Sequence, residues 1–291
     1  MCGIAGFLSP AGLGDQADAS LQAMSGRIVH RGPDAEGAWM DPSAGIALAH
    51  RRLAIIDVSA AGSQPMHSAD GRYVIVYNGE IYNFQAIRRE LEDSGLAPEW
   101  RGHSDTEVLL AAISAWGLRA AVERASGMFA VALWDRQERT LALVRDRMGE
   151  KPLYYGWQGS GRSRSLLFGS DLAALRAHPA FEGELDLGAV ESLLRLLYVP
   201  DPQSIYRGIS KLMPGTILTL DATTGSETTE VYWDALEIAA RRARGRSPAR
   251  RMMPSTCWRT CSARLSRARW CPMSSSALSC RAGSIPRQSS P

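Results

Sequence analysis

Cys2 follows the initiator methionine, and the next cysteine is Cys257. With Met1 removed, this thiol would share a residue with a free α-amino group of pKa about 7.7–8.0, an amine able to take the thiol proton. Nucleophile and base would then lie in one residue, with no histidine needed. By residue type alone, Cys2 reads equally as a small buried apolar side chain opening a strand. Four further stretches bear on the choice. "HRGPD" (His30–Asp34) is a Pro-Asp turn or part of a site. "AHRRLAIID" carries Arg51 and Arg52, either surface arginines or a guanidinium fork matched to a carboxylate. In "VYNGEIYN", Asn78-Gly79 is a hairpin turn, or else a side-chain amide beside an unshielded backbone N–H, two donors suited to an oxyanion. "GHSDTE" offers Ser104 and Asp105 as a helix N-cap or as ligands for an ammonium group.

The surrounding segments alternate between strand and helix patterns. "RYVIVYNGEIYN" is β-branched and aromatic, and "FQAIRRELEDSG" has helical apolar spacing ending at Gly95. "DTEVLLAAISAWG" reads as a helix, and "MFAVALWD" and "TLALVRD" flank the polar "RQER" as an antiparallel hairpin. Strand then helix is expected in "SLLFGSDLAALRAH", a helix stopped by Pro200 in "DLGAVESLLRLLYVP", and a strand in "GTILTLD". Hairpins with helices grouped between them indicate α+β rather than a doubly wound parallel sheet.

The 291 residues, 45% hydrophobic and 22% charged, describe a globular chain with room for a large core. No apolar run approaches the roughly 20 residues of a membrane span and no leader opens the chain, so a cytoplasmic protein without a membrane partner is expected. The net charge of +3 averages two unlike parts. Twelve of the 33 basic residues, all Arg, lie in 241–291 with no acidic residue, leaving 21 basic against 30 acidic in 1–240. Cys257, Cys261, Cys271 and Cys280 share that segment. Its composition calls for no regular structure.

Taken in order, "MCGIAGF", "HRGPD", "RRLAIID", "YNGEIYN", "HSDTE", "GMFAVALWD", "RDRMGEKPLYY" and "SIYRGISKLMPG" resemble the class II glutamine amidotransferase domain of glutamine-hydrolysing asparagine synthetases. The resemblance covers nearly all of 1–235. It implies an N-terminal-nucleophile hydrolase fold, a four-layer α-β-β-α sandwich with two antiparallel sheets, over 2–235. It implies hydrolysis of glutamine to glutamate and ammonia, with no cofactor or metal for that step. Carried onto matching positions, Cys2 is the nucleophile and its own amine the base. Arg52 would hold the glutamine α-carboxylate, Asn78 and Gly79 would form the oxyanion hole, and Glu80 and Asp105 would take the α-ammonium.

Members of this family continue into a synthetase domain that uses ATP and Mg, entered through a Ser-Gly-Gly-Xaa-Asp-Ser loop that this reading frame lacks. Back-translated one base upstream, residues 273–290 permit D-V-x-L-G-A-F-L-S-G-G-I-D-S-S-T-V-V, and Cys257–Ser262 permit L-E-D-L-L. The expectation is that 236–291 is an irregular tail read out of frame from within about 236–252, so that only the glutaminase half-reaction remains. A homodimer is a possible assembly. Three alternatives stand beside this reading. The acceptor of the ammonia could be a sugar carboxylate of surface-polysaccharide synthesis rather than aspartate. The body could be inactive and its arginine-rich tail a nucleic-acid or anionic-surface binder. The tail cysteines could hold a metal, although their spacing matches no paired-ligand pattern.

Overall fold

Twelve strands, numbered along the chain, form two antiparallel sheets in the computed structural model, which describes residues 1–57 and 59–244. The first sheet contains β1 (Gly3–Leu8), β2 (Ala35–Asp41), β3 (Ile46–Arg52), β8 (Tyr154–Gln158), β9 (Ser165–Gly169) and β10 (Ser210–Lys211), in the order β10-β8-β9-β1-β3-β2. The second contains β4 (Met66–His67), β5 (Tyr73–Ile81), β6 (Gly127–Asp135), β7 (Thr140–Arg145), β11 (Thr216–Asp221) and β12 (Glu227–Val231), in the order β12-β11-β7-β6-β5-β4.

Side-chain alternation along the strands builds the layers. Ile4 and Leu8 of β1, Ile46 and Leu48 of β3, Val74 and Val76 of β5, and Ala130, Ala132 and Trp134 of β6 fill one core between the sheets. The opposite faces carry two more. Ala5, Phe7, Ala47 and Ala49 pack with Leu21 and Met24 of α1 (Ala17–Gly26) and with Leu175 of α5 (Leu172–Arg176). Ile75, Tyr77, Val131 and Leu133 pack against α2 (Phe84–Asp93), α3 (Asp105–Trp116) and α4 (Leu118–Arg124). The result is the expected α+β, four-layer α-β-β-α arrangement. With both faces of each sheet covered, the central strands read as near-continuous apolar runs and not as alternating ones.

The β6–β7 hairpin forms where "RQER" predicts it, with Arg139 left-handed at φ 55° in the turn. The helix expected to run to Pro200 is α6 (Leu187–Leu196), which ends earlier because Leu197 turns left-handed at φ 64°. Only Ala189 of α6 is buried, while Leu187, Leu194 and Leu197 are exposed. One expectation is corrected. Residues 236–244, assigned to the irregular tail, belong to helix α7 (Ala235–Arg244). Asp234 Oδ1 accepts the Leu236 and Glu237 N–H groups at 2.7 and 3.1 Å, a side-chain cap ahead of the good helix formers Ala, Leu and Glu. Averaging over an arginine-rich tail concealed that signal. Residues 245–291, with the four tail cysteines and the shifted-frame stretch, lie outside the described residues. Among the described residues no helix is long and apolar enough to cross a membrane.

Candidate active site

Cys2 stands immediately before β1, and the pairing of Gly3 with Arg51 sets it beside the end of β3. There its Sγ accepts the Leu53 N–H at 3.4 Å and faces Leu53 O at 3.6 Å. The thiol opens into a pocket of about 110 Å³ that also meets Arg52, Asn78, Gly79, Glu80 and Asp105. All six residues expected from the sequence therefore converge, although they come from four separate segments of the chain. Among the described residues, no histidine lines this pocket.

Asn78-Gly79 is not a turn. It lies inside β5, paired with Ala130 and Phe129 of β6. Asn78 alternates with Val74 and Val76 and so points between the sheets, toward the side where Cys2 sits. It is 1% exposed, yet neither its Nδ2 nor its Oδ1 has a hydrogen-bond partner. Buried amides without a protein partner are uncommon, and Asn78 Nδ2 leaves a donor at the lining of the Cys2 pocket. The neighbouring N–H groups of β5 locate the second donor. Tyr77 N–H donates to Gln64 Oε1 at 2.6 Å and Ile81 N–H to Asp105 Oδ2 at 2.9 Å, both off the outer edge of β5. Strand alternation turns the Gly79 N–H to that same edge, between them.

Gly79 is also required sterically, since a Cβ there would lie on Met128 O and 2.7 Å from Phe129 Cα. Gly79→Ala is expected to push β5 off β6 and to cost about 1–3 kcal/mol, read as a fall in the midpoint of urea unfolding. An unchanged midpoint would contradict the packing described.

Asp105 is the first residue of α3, and the cap is Ser104, whose Oγ accepts the Glu107 N–H at 3.2 Å. The Asp105 carboxylate, 5% exposed, accepts from Tyr77 Oη at 2.7 Å as well as from Ile81 N–H. Burial raises its pKa above the usual carboxylate value against these hydrogen bonds. Glu80 is half-buried on the same wall.

Arg52 is 9% exposed and not wholly free. Its Nη1 donates to Ser59 O at 2.9 Å and its Nη2 to Asp57 O, so two of five N–H donors already anchor the following loop. Burial opposes the Asp57 charge, but bonds from His103 N–H, Ser59 and the Arg52 charge outweigh it and hold that carboxyl below its usual value.

Three positioning residues had no signal in the sequence. Gln64 joins the β5 edge to Thr106 Oγ1 through its Nε2 at 3.3 Å, and Tyr77 holds Asp105. His50 of β3, 1% exposed, lies 3.1 Å from Tyr77 O through Nε2. Because a carbonyl only accepts, Nε2 carries the proton, and His50 braces the two sheets beside the pocket. Burial, opposed by the Tyr77 bond and aided by the Arg52 charge, pushes His50 down to about 4. As pH falls below the unfolded value near 6.5 the unfolded chain takes up the proton first, so this contribution is complete above 6.5 and is lost through 4. The loss amounts to about 3 kcal/mol. Urea unfolding at stepped pH should show a shallower decline between 6.5 and 4 in His50→Gln than in the wild type. Equal slopes would contradict it.

A roomier hollow of about 350 Å³ lies away from Cys2, between 67–70, 95–101 and α3. Its buried carboxylate, Glu107, already accepts from the Arg101 and Gly102 N–H groups, and none of the side chains that line this hollow has a buried, unpartnered polar atom. Among the described residues, no group of three His, Cys, Asp or Glu side chains could hold a metal ion.

The profile of the glutamine amidotransferase domain matches residues 1–233. Asparagine synthetases (glutamine-hydrolyzing) 3 and 1 of Bacillus subtilis (strain 168) are 34% and 35% identical over 223 and 237 residues. Those alignments take in 75% and 81% of this chain and 34% and 36% of the relatives. A putative asparagine synthetase (glutamine-hydrolyzing) of Mycobacterium tuberculosis (strain ATCC 25618 / H37Rv) is 36% identical over 234 residues, covering 76% of this chain and 35% of its own. The chain thus spans about a third of the length of these relatives. In fold it is similar to the glutamine phosphoribosylpyrophosphate amidotransferase from B. subtilis, with a TM-score of 0.56 and 17% identity over 80% of this chain and 49% of that one.

Proposed function

We propose, since this chain belongs to the class II glutamine amidotransferase domain family related to the glutamine-hydrolysing asparagine synthetases, that it hydrolyses glutamine through a thioester on Cys2. The observation that carries the reading is the buried, unpartnered Asn78 carboxamide facing the pocket of Cys2. Glutamine enters with its α-carboxylate toward Arg52 and its α-ammonium toward Glu80 and Asp105, which line the same pocket. The Cys2 α-amine takes the thiol proton, and Sγ forms a bond to the carboxamide carbon. The oxygen that gains the electron pair is received by Asn78 Nδ2 and Gly79 N–H, donors aimed before the charge develops. Collapse of this intermediate returns the proton to the amide nitrogen, which leaves as ammonia with the C–N bond broken. Water, deprotonated by the same amine, then adds to the thioester, and glutamate departs as the thiol is restored.

The finer reading is that this unit supplies ammonia to an asparagine synthetase-type reaction with aspartate as acceptor. It rests on the names of relatives that are 34–36% identical. The test is ammonia release from L-glutamine by untagged protein whose intact mass shows Met1 removed. Stoichiometric glutamate and ammonia support the hydrolase. A processed, folded protein that releases neither rejects it for this chain.

A further inference from the structure

The stretch "RDRMGEKPLYY" is absorbed by no step of glutamine hydrolysis, and the geometry around it reaches the nucleophile from a side the sequence left unassigned. Asp146, wholly buried, gathers the turn. Its Oδ1 accepts the Met148 and Glu150 N–H groups at 3.0 and 2.9 Å, and its Oδ2 those of Lys151 and Phe129 at 2.9 and 3.2 Å. Arg145 closes the turn from outside through Lys151 O at 3.1 Å and Gly149 O at 2.8 Å. Four backbone bonds on one carboxylate leave Lys151 little freedom, and its side chain enters the wall of the Cys2 pocket, 4% exposed.

A buried ammonium is ordinarily paired with an acid. The hydrogen-bond partner of Lys151 Nζ is instead the thioether of Met1, 3.2 Å away, a weak acceptor on a residue that must leave before Cys2 can act. A second cation sits beside it. Arg31 of "HRGPD" donates Nε–H to Cys2 O at 3.3 Å, and its buried Nη2 has no partner. Burial first, then the Arg31 charge, pull Lys151 below the ordinary lysine value, while Glu150, Asp146 and the Cys2 thiol act the other way.

Resting on the glutaminase reading, we propose that Lys151, with Arg31 beside it, is a positioning residue that keeps the α-amine of processed Cys2 in its neutral, proton-accepting form. A fixed positive charge disfavours a second one nearby, so it lowers the pKa of the amine and enlarges the fraction of base at neutral pH. The charges facing the chain start from other elements act in both directions. Asp105 is engaged by Tyr77 and Ile81, Asp57 by His103 and Ser59, and Asp146 by its four N–H groups. Arg52 adds a positive charge, whereas Glu80, Glu150 and Asp146 are the acids that work against the effect.

The test compares processed, untagged wild type with Lys151→Gln, Lys151→Met and Lys151→Arg. In kcat/KM against pH, the acid limb should move up by about one pH unit in the two neutral variants and stay in place in Lys151→Arg. A limb unmoved by loss of the charge overturns the proposal, and a merely structural role would lower the plateau without moving the limb. A second readout needs no turnover. In a Cys2→Ala background, where no thiol competes at that residue, cyanate carbamylates the amine in its neutral form alone, so its rate at residue 2, followed by peptide mass against pH, titrates that group directly. The same upward shift is expected there, and coincident curves in folded variants overturn the proposal. Wild type without turnover but with shifted cyanate curves would reject the hydrolase reading and leave this inference standing.

Discussion

Cys2→Ala is expected to bring ammonia release from glutamine down to the buffer rate, a loss on the order of 10⁴-fold or more, as follows when a covalent nucleophile is removed. The reason is specific to how the site is built. Among the described residues lining the pocket there is no histidine to activate water in its place. The loss should not come from unfolding. Cys2 is half-buried, and its Sγ makes two long contacts, to Leu53 N and Leu53 O. Truncating it should therefore change the unfolding midpoint by well under about 1 kcal/mol. An alanine variant that keeps more than about a hundredth of wild-type turnover would sink the assignment. A companion result is expected from chains in which a residue is retained ahead of Cys2. An amide nitrogen is no base, and Met1 itself occupies the pocket wall, so such chains should be inactive while folding normally. Intact mass measured on the same preparation decides this.

Asn78→Ala is expected to lower kcat by about 10²–10³ with little change in KM, corresponding to about 2.7–4 kcal/mol of lost oxyanion stabilisation. The stability of this variant is the more telling readout. The wild-type carboxamide is buried with both polar atoms unpartnered, so its removal also removes a desolvation penalty. That gain offsets the small cavity left beside Val76 and Ala130. The variant should be nearly inactive and yet unfold at a urea concentration equal to or above that of the wild type. If it proves destabilised by several kcal/mol instead, Asn78 is a structural residue with partners in solution, and the oxyanion assignment fails.

Much of this protein can be read without coordinates. Apolar runs such as "VIVY" and "FAVALW", broken by turn residues and helical spacings, determine the strands, the helices and the α+β class, because burial of both faces of each sheet demands apolar side chains at consecutive positions. The chemistry proposed for Cys2 is equally local, since thiol and amine belong to one residue. What the sequence could not decide depends on contacts between distant segments. Asn78-Gly79 is compatible with a turn until β6 pairs along both residues and makes them strand. Arg52 is a free fork until the carbonyls of Asp57 and Ser59 take two of its donors. Asp105 and Ser104 are interchangeable caps until Tyr77 and Ile81 claim the carboxylate. His50, Gln64 and Lys151 acquire their roles only when β3, β5 and the turn around Asp146 meet near Cys2. Residue types and their spacing set which groups can react. Only the packing of two sheets against each other decides which of those groups share a pocket, which lose their water and which keep a donor unpaired, because desolvation and hydrogen-bond pairing are properties of the assembled neighbourhood and not of the chain.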